Sequence, residues 1–600
     1  MKIFKKLCLF VFIGIVSVSC EDYLDVAPEV EIGDEDIFQE FRDFQGFVDN
    51  MYKDVVHIST FEQRNSWCWA DDGAMAQRWI ADARFDRGEY VSFVTKSNTS
   101  KWVPFYTRRY QGRNQAGYYE NSWEGIRKAN IALSRLDDLV GATQEERDLL
   151  EGQAYFFRAF FHFELMRFFG GLPYVDQLLL PSSDLKIPRL NYHETAEKVE
   201  LDLNKAIELL PVNWDNTTVG NELAGDNSAG SFNDGRVTKG AAMGIKLMNL
   251  QYASSPLMNG SVTNSYTYNQ DYAKRAADAA WQLLKLAQDT GEYNLEPWAT
   301  YGDMFVKTNG DLVSRTELIW SAPMRDGVRT FRGYGPYLIK ELGGGNTTSS
   351  PPANYVDLFE TNTGYPIDDP ESGFNPKKPW QNRDPRFDFN IRVDGEKQTI
   401  RSTGGNAPKD HIAKLYVGGR HRTSTNSITG FICEKWSPIG MNNKYDNNLN
   451  NTSLEVSYLR LSEVYLIYAE MVNEAYGPDG VAPGASLTAI QAINTIRSRA
   501  GQPDVPSKYT SNKELFRERI WNERNVELAF EHKRWFDIRR WFIAHLPKQK
   551  EEYELLFDKD HTYFTKRLIQ TRVFDNKHYW FPFPNDQISL YPEFYQNPGW

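Results

Sequence analysis

The segment SWCWADDGAMAQRW, residues 66–79, sets Trp67, Trp69 and Trp79 beside the carboxylates Asp71 and Asp72. With Trp102 and Trp123 these form the densest aromatic cluster of the chain, among Asp, Arg, Asn and Gln residues. A flat ring presents an apolar face, and a planar polar side chain beside it presents directed hydrogen bonds. That combination suits a sugar, which has an apolar C–H face and a rim of hydroxyls. By analogy with aromatic hot spots, one such ring contributes on the order of 2 kcal/mol to binding. The same rings could equally fill the core of a loop-rich lobe, and Trp123, on a helical face, is read as core.

Bond-breaking chemistry finds little support. The chain has no GxSxG elbow, no GxxxxGK[ST] loop and no GxGxxG behind a strand. Carboxylate pairs such as Asp71–Asp72 and Asp368–Asp369 are adjacent in sequence, whereas a glycosidase needs two carboxyls at a set distance in space. ERIWNERNVELAFEHKRWFDIRRW carries His532 among many charges, but Arg519/Glu523, Arg524/Glu527 and Glu531/Arg534 are spaced to meet on one helix. The segment is therefore read as a structural ion-pair network. Without CxxC or HExxH, no zinc site is expected. Cys68 and Cys433 either bridge or remain buried thiols, and the acidic loops leave a structural calcium ion open.

A net charge of −12 over 600 residues argues against nucleic acid as a partner, since that requires a basic footprint. Residues 1–19 hold Lys2, Lys5 and Lys6 and no acid, followed by an apolar run from Leu7 to about Val18. The run is shorter than the roughly 20 residues of a spanning helix and has the layout of a secretory signal. It ends at Cys20, with Ser17 where a standard lipobox prefers Leu.

These groups must be held by helices. Helical periodicity runs through NSWEGIRKANIALSRLDDL, TQEERDLLEGQAYFFRAFFHFELMRFFG and YHETAEKVELDLNKAIELLP. It continues in RVTKGAAMGIKLMNLQYASSP and YAKRAADAAWQLLKLAQ, whose Ala and Gly residues allow close approach. Residues 291–455 differ, with turn-forming Gly, Pro, Asn and Asp around short strands such as RTELIWSAP, where Trp320 is read as core. Helices resume with VSYLRLSEVYLIYAEMVNEAYG, ASLTAIQAINTIRSRAG and the charged segment from Ser511. The pattern predicts a mainly α scaffold of tetratricopeptide-like helical pairs, with a loop-rich, short-strand region packed on it.

Six blocks in order resemble the SusD/RagB family of Bacteroidetes nutrient-uptake outer-membrane lipoproteins. They are RFFGGLPYV, GRVTKGAAMGIKLMNLQYASSP, YLRLSEVYLIYAEMVNEAYG, AINTIRSRAG, NERNVELAFEHKRWFDIRRW and the closing YWFPFPNDQISLYPEFYQNPGW. The resemblance implies a non-catalytic lipoprotein on the outer face of the outer membrane. It captures a glycan and delivers it to a SusC-like, TonB-dependent β-barrel transporter, without a cofactor. It also implies lipidation of Cys20, with Glu21 and Asp22 resembling an acidic export signal. Family ligand contacts come from N-terminal and middle loops, which correspond here to Trp67, Trp69 and Trp79, then Trp298, Tyr301, Tyr334 and Tyr337. Asp71, Asp72 and Arg325 are the matching hydroxyl partners.

The expected organisation is a signal over 1–19, an N-terminal part over 20–290, a loop-rich ligand or partner region over 291–455 and a C-terminal helical part over 456–600, in one globular unit. The rival readings are a transporter lid for peptides or another nutrient with little sugar affinity, and a surface glycan hydrolase.

Overall fold

The computed structural model describes residues 36–55, 69–75, 81–91, 118–225, 233–307, 313–321, 339–342, 349–399, 411–439, 441 and 452–600. Its scaffold is a series of helices. They are α1 (Phe41–Tyr52), α2 (Tyr118–Ser134), α3 (Gln144–Phe169), α4 (Tyr192–Leu209), α5 (Lys239–Ser254), α6 (Gln270–Thr290), α7 (Leu461–Tyr476), α8 (Ala489–Arg499), α9 (Lys513–Glu527) and α10 (Arg534–Arg540). From α2 to α7 each helix packs on the next, and α7 then takes both α8 and α9.

The starts are written locally. Thr143 with Glu146, Asn191 with Glu194, and Thr488 with Gln491 form reciprocal capping boxes on α3, α4 and α8. Small residues set the helix spacing as expected. A Cβ on Gly125 would lie 2.1 Å from the Phe161 ring, and one on Gly244 would lie 2.4 Å from Leu459. Helix α3 is buried almost continuously from Leu149 to Phe169, which makes it the centre of the larger core.

The middle region has a core of its own. Tyr301, Phe305, Phe359, Phe387, Trp436 and Leu454 pack together with Val526, Ala529 and Phe530 from the charged C-terminal block. Its strands are short antiparallel pairs that join distant residues. β1 (Ala74–Met75) pairs with β3 (Ser349–Ser350), β2 (Leu318–Trp320) with β6 (Leu459–Arg460), and β4 (Ile391–Arg392) with β5 (Ile432–Cys433). Trp320 is core, as read from sequence. Cys433 is a free thiol in β5, and burial pushes it up to about 12.

Two features depart from the sequence reading. The block from Ser511 is not one helix: α9 stops at Glu527, and Phe530 and His532 adopt positive φ of 60° and 64° before α10 begins. The pairs expected within that helix are replaced by long-range ones. Glu523 meets Arg386 and Arg497, Arg524 meets Glu463 and Asp537, and Arg534 meets Asp71. Glu527 meets Arg460, Arg499 and Arg386, and Glu531 meets Lys435 and Arg460. The network is structural, as predicted, but it runs between elements because charges this deeply buried require partners on several sides.

The second departure is a hairpin, β7 (Glu551–Phe557) with β8 (Phe564–Thr571). Two of the inward positions of β7 hold Glu552 and Glu554, each met by an arginine, Arg572 and Arg422 respectively. Buried carboxylates at those positions conceal the apolar alternation that marks a strand.

Candidate functional site

The N-terminal aromatic segment enters the described structure at Trp69. Trp69 is 2% exposed, stacks on Phe85 at 4.2 Å between centroids, and meets Trp535 edge-on at 5.3 Å. Its carbonyl accepts from Arg572, which also bonds Asp86 at 2.8 Å. Two residues on, Asp71 accepts from both Nε and Nη2 of Arg534 at 2.7 Å. Such a fork is the strongest neutral-pH contact available to a carboxylate, and it fixes the segment against the start of α10.

Asp72 is equally buried, and its Oδ1 has no hydrogen-bond partner among the described residues. Burial, and then the neighbouring Asp71, raise its carboxyl to about 7. Because the folded state holds this proton more tightly than the unfolded chain, the associated stability is complete below the unfolded value near 4 and is lost as pH rises towards 7. Asp72→Asn should therefore gain on the wild type between pH 4 and 7, by on the order of a few kcal/mol, and gain nothing more above pH 8. Thermal melts of both proteins across that range check this, and parallel curves would refute it.

In the middle region, Tyr301 is 1% exposed, and its hydroxyl donates to the main-chain carbonyl and a carboxylate oxygen of Glu527, both at 3.2 Å. Trp298 is half-buried, 5.0 Å from the Tyr301 ring and 6.2 Å from Phe389.

These positions correct the sequence reading. Trp69, Asp71, Asp72 and Tyr301 are buried, Trp69 and Tyr301 in packed aromatic clusters and Asp71 in its ion pair with Arg534. Trp298 keeps part of its ring in solvent. Trp67, Trp79, Arg325, Tyr334, Tyr337 and Cys20 lie outside the described residues.

The scaffold does bring the two predicted regions together. In the β1–β3 pair, Met75 lies opposite Ser349 and Ala74 opposite Ser350. Residues 74–75 of the N-terminal segment are therefore held against residues 349–350 of the middle region. Sequence reasoning missed Arg534 as the clamp of this region, because nothing local signals a partner 463 residues from Asp71. No helix among the described residues is long and apolar enough to cross a membrane.

A model of the SusD family matches residues 316–600, and a second, described as starch-binding associating with outer membrane, matches residues 22–224. SusD-like protein P2 of Formosa agariphila is 23% identical over 542 residues, covering 88% of this chain and 89% of that protein. SusD-like protein P25 of the same organism is 21% identical over 565 residues, covering 92% of each. Among solved structures, a SusD-like protein from Bacteroides fragilis superposes with a TM-score of 0.68 at 24% identity, over 96% of this chain and all of that one. A second B. fragilis structure, described as a SusD-like carbohydrate binding protein, gives 0.60 at 19% identity over 93% of this chain and all of the other.

Proposed function

The chain belongs to the SusD/RagB family, and on that premise we propose that it is a non-catalytic, lipid-anchored surface protein that binds a glycan and passes it to a SusC-like, TonB-dependent transporter. The observation that carries this reading is the end-to-end match in fold to SusD-like structures, one of them described as carbohydrate binding. The family model over residues 22–224 points to starch-like glycans and the outer membrane. The sequence adds a signal that ends at Cys20, followed by acids. Several acyl chains on one cysteine hold a protein stably where a single chain would not. No cofactor is required, because no bond is made or broken.

The binding face is assigned to Trp67 and Trp79, with Arg325, Tyr334, Tyr337 and the exposed part of Trp298. Affinity electrophoresis and calorimetry against a polysaccharide panel test the assignment. The mature chain should be retarded by at least one glycan, and Trp67→Ala or Trp79→Ala should weaken that binding by about 30-fold, the equivalent of about 2 kcal/mol. Equal binding by wild type and both variants would remove these residues from the site, and release of reducing sugar would restore the hydrolase reading.

A further inference from the structure

A cavity elsewhere in the chain is lined by none of the predicted site residues. It opens between residues 353–357, the turn-rich stretch 374–383, Phe431 and the C-terminal hairpin, with a volume of about 140 Å³. Its walls are rings: Phe374, Trp380 and Phe564, beside Pro376 and Pro379. Trp380 is half-buried and nearly perpendicular to Phe557, His561 and Phe564, with centroids 5.2, 5.0 and 5.2 Å away. Its indole N–H is buried without a hydrogen-bond partner among the described residues.

The charges of the cavity are unbalanced. Arg383 is 7% exposed, and its hydrogen bonds all go to main-chain carbonyls, those of Val356, Phe359, Glu360 and Pro379. No carboxylate lies within ion-pair distance of it among the described residues. The buried Arg386, Arg460, Arg497, Arg524 and Arg540 each meet at least one carboxylate. Arg189 and Arg539 also lack one, but they do not line this cavity. Burial lowers the Arg383 guanidinium to about 10, and Asp357, Asp384 and Asp388 nearby offset this only in part. At the rim, Lys566 pairs with Asp357 and stays largely in solvent. The site thus offers two cations against one carboxylate, on a chain whose net charge is −12.

From this juxtaposition of ring walls and one cation in excess of the lining carboxylate, we infer that the cavity binds an anionic pyranose, a uronate or a sulfated sugar, as a subsite separate from the principal glycan face. The apolar sugar face rests on the rings, the acidic group turns to Lys566 and Arg383, and a hydroxyl donates to Asp357. A neutral sugar would leave Arg383 as it is. That the ligand is a sugar rests on the proposed function, whereas its charge rests on the cavity alone.

Ligand-observed NMR and calorimetry on the full mature chain, with glucuronate, glucose 6-sulfate and glucose as probes, decide the matter. At least one acidic sugar should bind with a Kd of about 1–10 mM, a scale set by the efficiency of small ligands. Glucose should bind at least about 10-fold more weakly. The comparison of glucuronate with glucose 6-sulfate identifies which acid the cavity prefers. Lys566→Glu, at an exposed position that leaves folding intact, should weaken acidic-sugar binding about 10-fold or more, and raised salt should weaken it in the wild type. Trp380→Leu, verified by its melting curve, should do the same through lost ring contact. Absence of acidic-sugar binding, equal binding of glucose, or unchanged binding by Lys566→Glu would each overturn the inference. If Trp67→Ala abolishes polysaccharide retention while glucuronate still binds, the two sites are separate. If no polysaccharide is retained and glucuronate still binds, the cavity stands and the surface-glycan reading falls.

Discussion

Replacing Glu527 by alanine should destabilise the protein by about 3–5 kcal/mol. Glu527 is fully buried and lies where the two cores meet. Arg460 approaches it at 2.8 Å and Arg386 at 3.3 Å, and Arg499 closes a third ion pair. Burial pushes its carboxyl up, and the guanidinium groups of Arg499, Arg460 and Arg386 more than reverse this, holding it well below the usual carboxylate range. Without the carboxylate, three like charges remain close together in a water-poor interior. Each of the three keeps another carboxylate, Arg460 with Glu317 and Glu531, Arg499 with Glu317, and Arg386 with Asp384 and Glu523, but all lose the one they share. Glu527→Gln should lie between wild type and alanine, since it preserves shape and loses charge. A carboxyl depressed by folding contributes fully above its unfolded value near 4.3 and loses that contribution as pH falls, so the difference between wild type and variant should narrow in acid. Urea unfolding followed by fluorescence and circular dichroism measures this, and a loss below about 1 kcal/mol would refute the account.

Trp69→Ala should cost about 3–5 kcal/mol in stability, as large-to-small changes of buried tryptophan do, while glycan affinity measured well below the melting temperature stays unchanged. The ring fills space between Phe85, Trp535 and Phe168, so its loss leaves a cavity that the clamped main chain cannot close. Trp67→Ala should behave oppositely, with normal melting and weakened binding. A Trp69→Ala protein that melts normally and fails to bind would return this residue to the ligand face.

The contrast between Trp69 and Trp67 shows where sequence reading stops. The helices were legible because their information is local: capping boxes at Thr143, Asn191 and Thr488, apolar stripes, and glycines where helices touch. The family was legible from blocks such as NERNVELAFEHKRWFDIRRW. The burial of Trp69, Asp71 and Asp72 was not. Trp and Asp are the residues that bind a sugar and also the residues that build a buried ion pair, and only Arg534 separates the two uses for Asp71. The hairpin escaped because Glu552 and Glu554 stand where apolar residues would reveal a strand. The break after Glu527 escaped because Phe530 is not a residue that announces positive φ, and a lone His532 signals it only weakly.

The charged seam also limits how the molecule can move. Lys435, Arg386 and Glu360 from the middle region meet partners on or beside α8 and α9. A shear or hinge of a few ångströms along that plane would pull several ion pairs apart at once, with no water at hand to solvate them. The interface therefore acts as a weld: the helical array and the lobe above it tilt as one piece. Any large functional motion must then carry the entire body, and not close a jaw within it.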